Sequence, residues 1–152
     1  MSISMEDIKK LREETGAGVM DAKKALEEAG GDYSKAKDLI NANSVLKAQK
    51  KADRTAGEGI IVTYVHTGGK VAGMVHLSCE TDFVAKTDDF KALAYEIAKQ
   101  VCAIPYESVQ SALNDAYIKD PSIKLSDLIT QSIGKMGEKI ELVKFVRYSV
   151  KE

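Results

Sequence analysis

The chain has 152 residues, of which 44% are hydrophobic and 30% charged, with 22 Lys and Arg against 23 Asp and Glu. That balance suits one folded domain, or a small one joined to a larger one, and excludes a disordered chain. A net charge of −1 excludes a whole-molecule field that would draw it to nucleic acid or membrane.

The first third reads as three short helices. Ser4 is placed to cap the first, with Asp7 three residues later, and Met5, Ile8 and Leu11 make its apolar stripe. Gly16 and Gly18 break it. A second helix carries Val19, Ala22, Leu26 and Ala29 on one face and stops at Gly30-Gly31. Asp32 caps a third, with Ala36, Leu39 and Ile40 inward. Such short helices do not stand alone in water and must pack on one another. The polar residues 41–44 are expected to end this unit, and the basic residues 45–54 to form a helical bridge. The domain boundaries expected are therefore 1–54 for a three-helix unit with a basic linker helix, and 55–152 for the remainder.

From Ile60 the period changes to two. Ile60, Val62 and Tyr64 alternate with Ile61, Thr63 and Val65, Gly68-Gly69 supplies a hairpin turn, and 71–77 returns as the partner strand. Gly73 in that strand marks a bulge or a close approach. Residues 81–86, Thr-Asp-Phe-Val-Ala-Lys, read as a loop, after which Asp88 or Asp89 caps a long helix. Phe90, Leu93, Ala94, Ile97, Ala98 and Val101 stripe that helix, and Pro105 follows its end. Residues 106–117 read as a short helix, separated by Pro121 from another over 126–135 with Leu128, Ile129 and Ile133 inward. The last strand, 139–150, alternates Ile140, Leu142, Val146, Tyr148 and Val150 and has no neighbour in sequence to pair with. It must return to the hairpin. The expected fold class is α+β: a small N-terminal three-helix unit, similar to a UBA domain, then an antiparallel three-stranded sheet packed with helices.

Few residues suggest chemistry. Cys79 and Cys102 cannot form a disulfide framework, and no apolar run approaches the ~20 residues of a membrane span. The charged N-terminus does not read as a signal peptide, so the cytoplasm is the expected location. His66 and His76 lie on the hairpin without the spacing of a zinc site, so neither metal nor cofactor is expected. Cys79 lacks a base held by a third residue, and the chain is not expected to be an enzyme. The bases Lys47, Lys50, Lys51 and Arg54 stand against Asp53 alone. They form a solvated helix face, or the footprint of a ribosome- or RNA-associated module. The only nearby ring for base stacking is Tyr33, so direct nucleic-acid binding is not expected. Phe83 beside Asp82 is the outlying feature. Either Phe83 and Val84 fold back onto the core, or Phe83 is an aromatic anchor that enters a partner with a carboxylate at its side.

Thr81-Asp82-Phe83-Val84-Ala85-Lys86, the segment from Thr15 through Gly16-Ala17-Gly18-Val19-Met20-Asp21 to Leu26, Gly137-Glu138-Lys139-Ile140 and Phe145-Val146-Arg147-Tyr148 occur together in this order. In this the chain resembles the bacterial translation elongation factor Ts family, the guanine-nucleotide exchange factors of elongation factor Tu. The resemblance runs from Lys10 to the last residues. It implies that Asp82 and Phe83, with Thr81 and Val84, form a wedge near the magnesium site of Tu, so that GDP is released during translation elongation. It implies docking contacts at Val19, Met20 and Lys23, with Met136, Gly137 and, more weakly, Lys51. On the residues alone Val19 is equally a core position, whereas Met20 and Lys23 point away from the stripe. Longer members duplicate the core sheet, and short members carry an extra charged stretch between the Pro105 region and Asp120; both are absent here. One sheet copy in place of two makes a homodimer an expectation.

Overall fold

The computed structural model of the chain describes residues 2–152. They divide into two compact units, one of residues up to Asp53 with Thr130–Gly137, the other of Arg54–Ile129 with Glu138–Glu152.

The first unit begins with α1 (Met5–Thr15), whose first turn is closed by the Ser4 hydroxyl accepting from the Asp7 N–H at 3.0 Å. Gly16, at φ +73°, ends it and donates to the Arg12 carbonyl at 2.8 Å. α2 (Val19–Glu28) follows, then α3 (Tyr33–Lys51), capped by the Asp32 carboxylate accepting from the Lys35 N–H at 3.1 Å. Ile8, Leu11, Ala22, Ala25, Leu26, Ala36 and Ile40 form the core, in which small alanines let the helix backbones approach. Three expectations need correction. Met5 and Leu39 are exposed, because the first turn of α1 overhangs the core and Leu39 sits ~100° around the helix from Ile40. The polar run at 41–44 does not stop the helix. Asn and Ser lower helix propensity by only tenths of a kcal/mol each, and an established helix extends through them.

The second unit opens with the hairpin of β1 (Glu58–Val65) and β2 (Val71–Cys79). Gly68 and Gly69 both have positive φ in its turn. Then come the one-turn helix α4 (Asp82–Ala85), α5 (Asp88–Ala103), α6 (Val109–Asn114), β3 (Ala116–Tyr117), β4 (Asp120–Lys124), α7 (Leu125–Met136), whose last turns are counted with the first unit, and β5 (Glu141–Ser149). The sheet order is β1-β2-β5, antiparallel throughout, so the last strand returns to the hairpin as expected. α5 covers one face, with Phe90, Leu93, Ala94, Ile97, Ala98 and Val101 all buried. Gly73 is a close approach rather than a bulge: a Cβ there would lie 2.9 Å from the Ala98 carbonyl oxygen.

The irregularity lies instead where Leu77 pairs with Leu142 and His76 with Lys144, so that Val143 is extra. It reverses the facing of β5. Leu142 points inward, whereas Val146 and Tyr148 face out, opposite Met74 and Ala72, and the expected single apolar face of this strand does not exist.

Two local expectations also change. The cap of α5 is Thr87, accepting from the Phe90 N–H at 3.2 Å, not Asp88 or Asp89. The helix read over 106–117 is only α6, and the two-stranded ribbon β3-β4 follows it, with Pro121 tolerated in a strand of that ribbon. The ribbon is fastened by fully buried Gln100. Its amide donates to the Tyr106 hydroxyl at 3.0 Å and the Ala116 carbonyl at 3.1 Å, and accepts from the Ile118 N–H at 3.1 Å.

Candidate functional site

The stretch 81–86 is not all loop, because residues 82–85 form α4. As β2 ends, the Thr81 side chain accepts from the Val84 N–H at 3.3 Å and starts α4 as its cap. The far end is tied equally well. The Thr87 hydroxyl donates to the Val84 carbonyl at 2.7 Å, and the same oxygen caps α5. One turn of helix thus stands between two threonine caps.

The turn separates the two apolar residues that the sequence leaves together. Val84 is buried with Ala85 and anchors the turn on the core, while Phe83, rotated ~100° from it, is 81% exposed. Val84 therefore folds back onto the core, and Phe83 does not. Asp82 lies beside Phe83 and pairs with Lys86 at 2.8 Å, one turn on; that hydrogen bond holds the Lys86 ammonium above its usual range. A rigid base under an exposed ring suits an anchor, because little ordering entropy is left to lose on binding.

The base of the turn is held from a distance. One oxygen of the Glu138 carboxylate accepts from the Glu80 and Thr81 N–H groups, both at 3.0 Å, and the other accepts from the Thr81 hydroxyl at 2.6 Å. The Glu80 carboxylate faces Arg54 at 3.5 Å, and Lys139 donates to the Arg54 carbonyl at 3.1 Å. The Cys79 thiol donates to the Thr81 carbonyl at 3.2 Å. Burial, and secondly the Glu138 carboxylate, push that thiol above its ordinary value, which makes it a packing group rather than a nucleophile. Glu138 belongs to a motif visible in the sequence, but nothing local says that its partner lies some 57 residues away.

The other expected contacts lie in the first unit. On α2, Val19 is 45% exposed and Met20 74%, with Lys23 exposed one turn from Val19. Ala22, Ala25 and Leu26 turn inward, so Val19 sits at the edge of the buried stripe. Lys51 is half-buried at the last turn of α3, where the helix dipole favours a cation. Met136 ends α7, and Gly137 follows at φ +76°, donating to the Ile133 carbonyl at 2.9 Å. Of the basic residues 47–54, Lys47 pairs with Asp21 at 3.5 Å and Arg54 with Glu80, which leaves a smaller free basic surface than the sequence suggests. Tyr33 is engaged too, donating to Glu14 at 2.7 Å beneath Lys10.

A third apolar surface lies in the second unit. The sheet face away from α5 presents Ile61, Val65, Met74, Val146 and Tyr148, all exposed. The alternation of β1 contained that signal, since Ile61 and Val65 occupy the phase opposite to Ile60, Val62 and Tyr64. Among the described residues no helix is long and apolar enough to cross a membrane, and no cluster of His, Cys, Asp or Glu is arranged to hold a metal ion.

Residues 80–152 match the family described as Elongation factor TS. The chain is 40% identical to the elongation factor Ts of Thermotoga petrophila, with all of this chain and 98% of that one aligned. It is 37% identical to that of Carboxydothermus hydrogenoformans, over 99% of this chain and 90% of the other. With Aquifex aeolicus elongation factor Ts it shares 41% identity over its whole length, spanning 54% of that longer protein. The Thermotoga alignment occupies 195 positions against 152 residues, so that relative carries insertions that this chain lacks. On this full-length similarity, the chain belongs to the elongation factor Ts family.

Proposed function

We propose that this chain is a guanine-nucleotide exchange factor that binds elongation factor Tu·GDP in the cytoplasm and promotes GDP release by disturbing Tu's magnesium site. The observation that carries the reading is Phe83, exposed on a doubly capped turn beside Asp82, in a member of the Ts family. A nucleotide-binding protein holds GDP through phosphate contacts and a magnesium ion. A partner that prefers the nucleotide-free shape speeds release, and linkage makes the coupling reciprocal, so nucleotide expels the partner in turn. The mechanism asks this chain for no acid, base or cofactor. It asks for a stiff tip that carries an aromatic anchor and a carboxylate near a cation site.

In this reading Thr81, Asp82, Phe83 and Val84 form the tip. Residues 1–54 make up the docking domain with its linker helix, completed by Thr130–Gly137, and the rest of 55–152 is the core domain. Val19, Met20 and Lys23 meet the nucleotide-binding domain of Tu, and Met136, Gly137 and Lys51 add contacts. The open apolar sheet face around Met74 and Tyr148 favours pairing of two copies, since an exposed patch of this kind is buried by twofold closure.

Mixing the chain with Tu loaded with fluorescent GDP, in excess unlabelled nucleotide, tests the function. Accelerated loss of the label is expected, and a release rate equal to that of Tu alone rejects it. Sedimentation of the chain at micromolar concentration tests the pairing, with a twofold mass expected and a monomer counting against it.

A further inference from the structure

We propose that Glu138 is the positioning residue of the tip: its carboxylate fixes the backbone at Glu80 and Thr81, and thereby the direction in which Phe83 is presented. The inference rests on the exchange reading above and deepens it.

Where β2 ends, the N–H groups of Glu80 and Thr81 have left the strand ladder and need new acceptors. Glu138 supplies one oxygen to both. Its other oxygen accepts a hydrogen bond from the Thr81 hydroxyl at 2.6 Å, the short distance of a charge-assisted bond. That second contact carries the hold from the backbone to the cap. A threonine hydroxyl has one proton, and sending it to Glu138 leaves a lone pair for the Val84 N–H, the bond that starts α4. The cap of the tip is therefore set by a residue outside the tip. The neighbouring contacts hold the same corner, with Arg54 on Glu80, Lys139 on the Arg54 carbonyl and the Cys79 thiol on the Thr81 carbonyl. Among these groups Glu138 alone bonds the backbone and the cap together. A carboxylate that organises a site through other residues is a positioning group, and misplacement of an ångström at a reacting surface costs ~100-fold in demanding cases.

Glu138→Ala and Glu138→Gln, with Phe83→Ala as the reference, test this on the full chain. Three readouts are needed: melting temperature, amide hydrogen exchange of Glu80 and Thr81 in the free protein, and the release rate of labelled GDP from Tu at saturating factor. Glu138→Ala should lose protection at both amides and lower the maximal release rate by roughly tenfold, while remaining folded at the assay temperature. Glu138→Gln keeps one oxygen for both N–H groups but puts an amide donor where the Thr81 hydroxyl had its acceptor; with the backbone still held, both amides should stay protected and the rate should fall less than in Glu138→Ala. If Glu138→Ala does not fold, the glutamine variant alone decides, because a tenfold loss with both amides still protected contradicts a role through the backbone. A wild-type maximal rate in Glu138→Ala, alongside an inactive Phe83→Ala, overturns the positioning role and leaves the exchange reading intact. Full exchange by Phe83→Ala removes the tip from the mechanism, and the role of Glu138 falls with it.

Discussion

The tip at 81–84 and the exposed face of α2 both offer apolar side chains to solvent, but they are built in different ways. The α2 face is a product of helix register. Met20 and Lys23 are exposed because Ala22, Ala25 and Leu26 must turn inward, and any sequence keeping that stripe keeps the face. The tip is a product of tertiary hydrogen bonding, and four residues of helix would not persist without Thr81, Thr87 and Glu138 around them. A surface of the first kind is altered one side chain at a time. One of the second kind can be lost as a unit while the core stays folded.

Two phenylalanines seven residues apart give the strongest test of that difference. Phe90 is 0% exposed beneath the sheet, and Phe90→Ala should destabilise the fold by ~3–5 kcal/mol, read as a large drop in melting temperature. Phe83→Ala should leave the melt unchanged and weaken productive binding to Tu by ~2 kcal/mol, roughly thirtyfold. A clear fall in melting temperature for Phe83→Ala would mean that the ring supports the tip rather than projecting from it. Met20→Ala, on the face set by register alone, should cost about 1 kcal/mol of affinity for Tu, roughly fivefold, with normal exchange at saturation. If it instead lowers the saturated rate, the two regions do not divide docking from action.

The smallest effect expected is a control outside both regions. Burial raises the Glu96 pKa, but hydrogen bonds from Lys119, Lys99 and Tyr117 outweigh it and hold the carboxyl below its ordinary value of 4.5. A carboxyl depressed on folding contributes stability that is present above its unfolded pKa and lost as pH falls through the folded one. The melting temperature should therefore fall as the solution is acidified below about 4.5, and Glu96→Gln should flatten that part of the curve. An unchanged acid limb in the variant would assign the loss to other carboxylates.

What the sequence made legible was local. The stripe of α5, the hairpin with its glycine turn and the return of the last strand all follow from periodicity over a few residues. Continuity of α3 did not, because a polar run resembles an end while lacking any residue that breaks a helix. The β3-β4 ribbon was hidden because it is secured by Gln100, which in sequence is one more polar residue on a helix. The reversal of β5 hangs on a single extra residue, Val143, and no alternation pattern announces one. At the candidate site the sequence marks out residues 81–86 as a segment, but not its form. Whether Phe83 or Val84 turns outward depends on one turn of helix whose cap is organised by a residue near the other end of the chain.

The first unit is discontinuous, since Thr130–Gly137 belongs with the N-terminal helices. A chain emerging from the ribosome presents α1, α2 and α3 early, yet the contacts that complete this unit wait until almost the whole polypeptide has been made. Ser44, buried in the finished unit where Gly134 lies against it, has no such cover in a nascent chain. Long-range closures of this kind form slowly and leave surface open meanwhile. The part of the protein synthesised first is thus among the last to be finished, and a message truncated before codon 130 would release helices that can assemble their own small core but not close it.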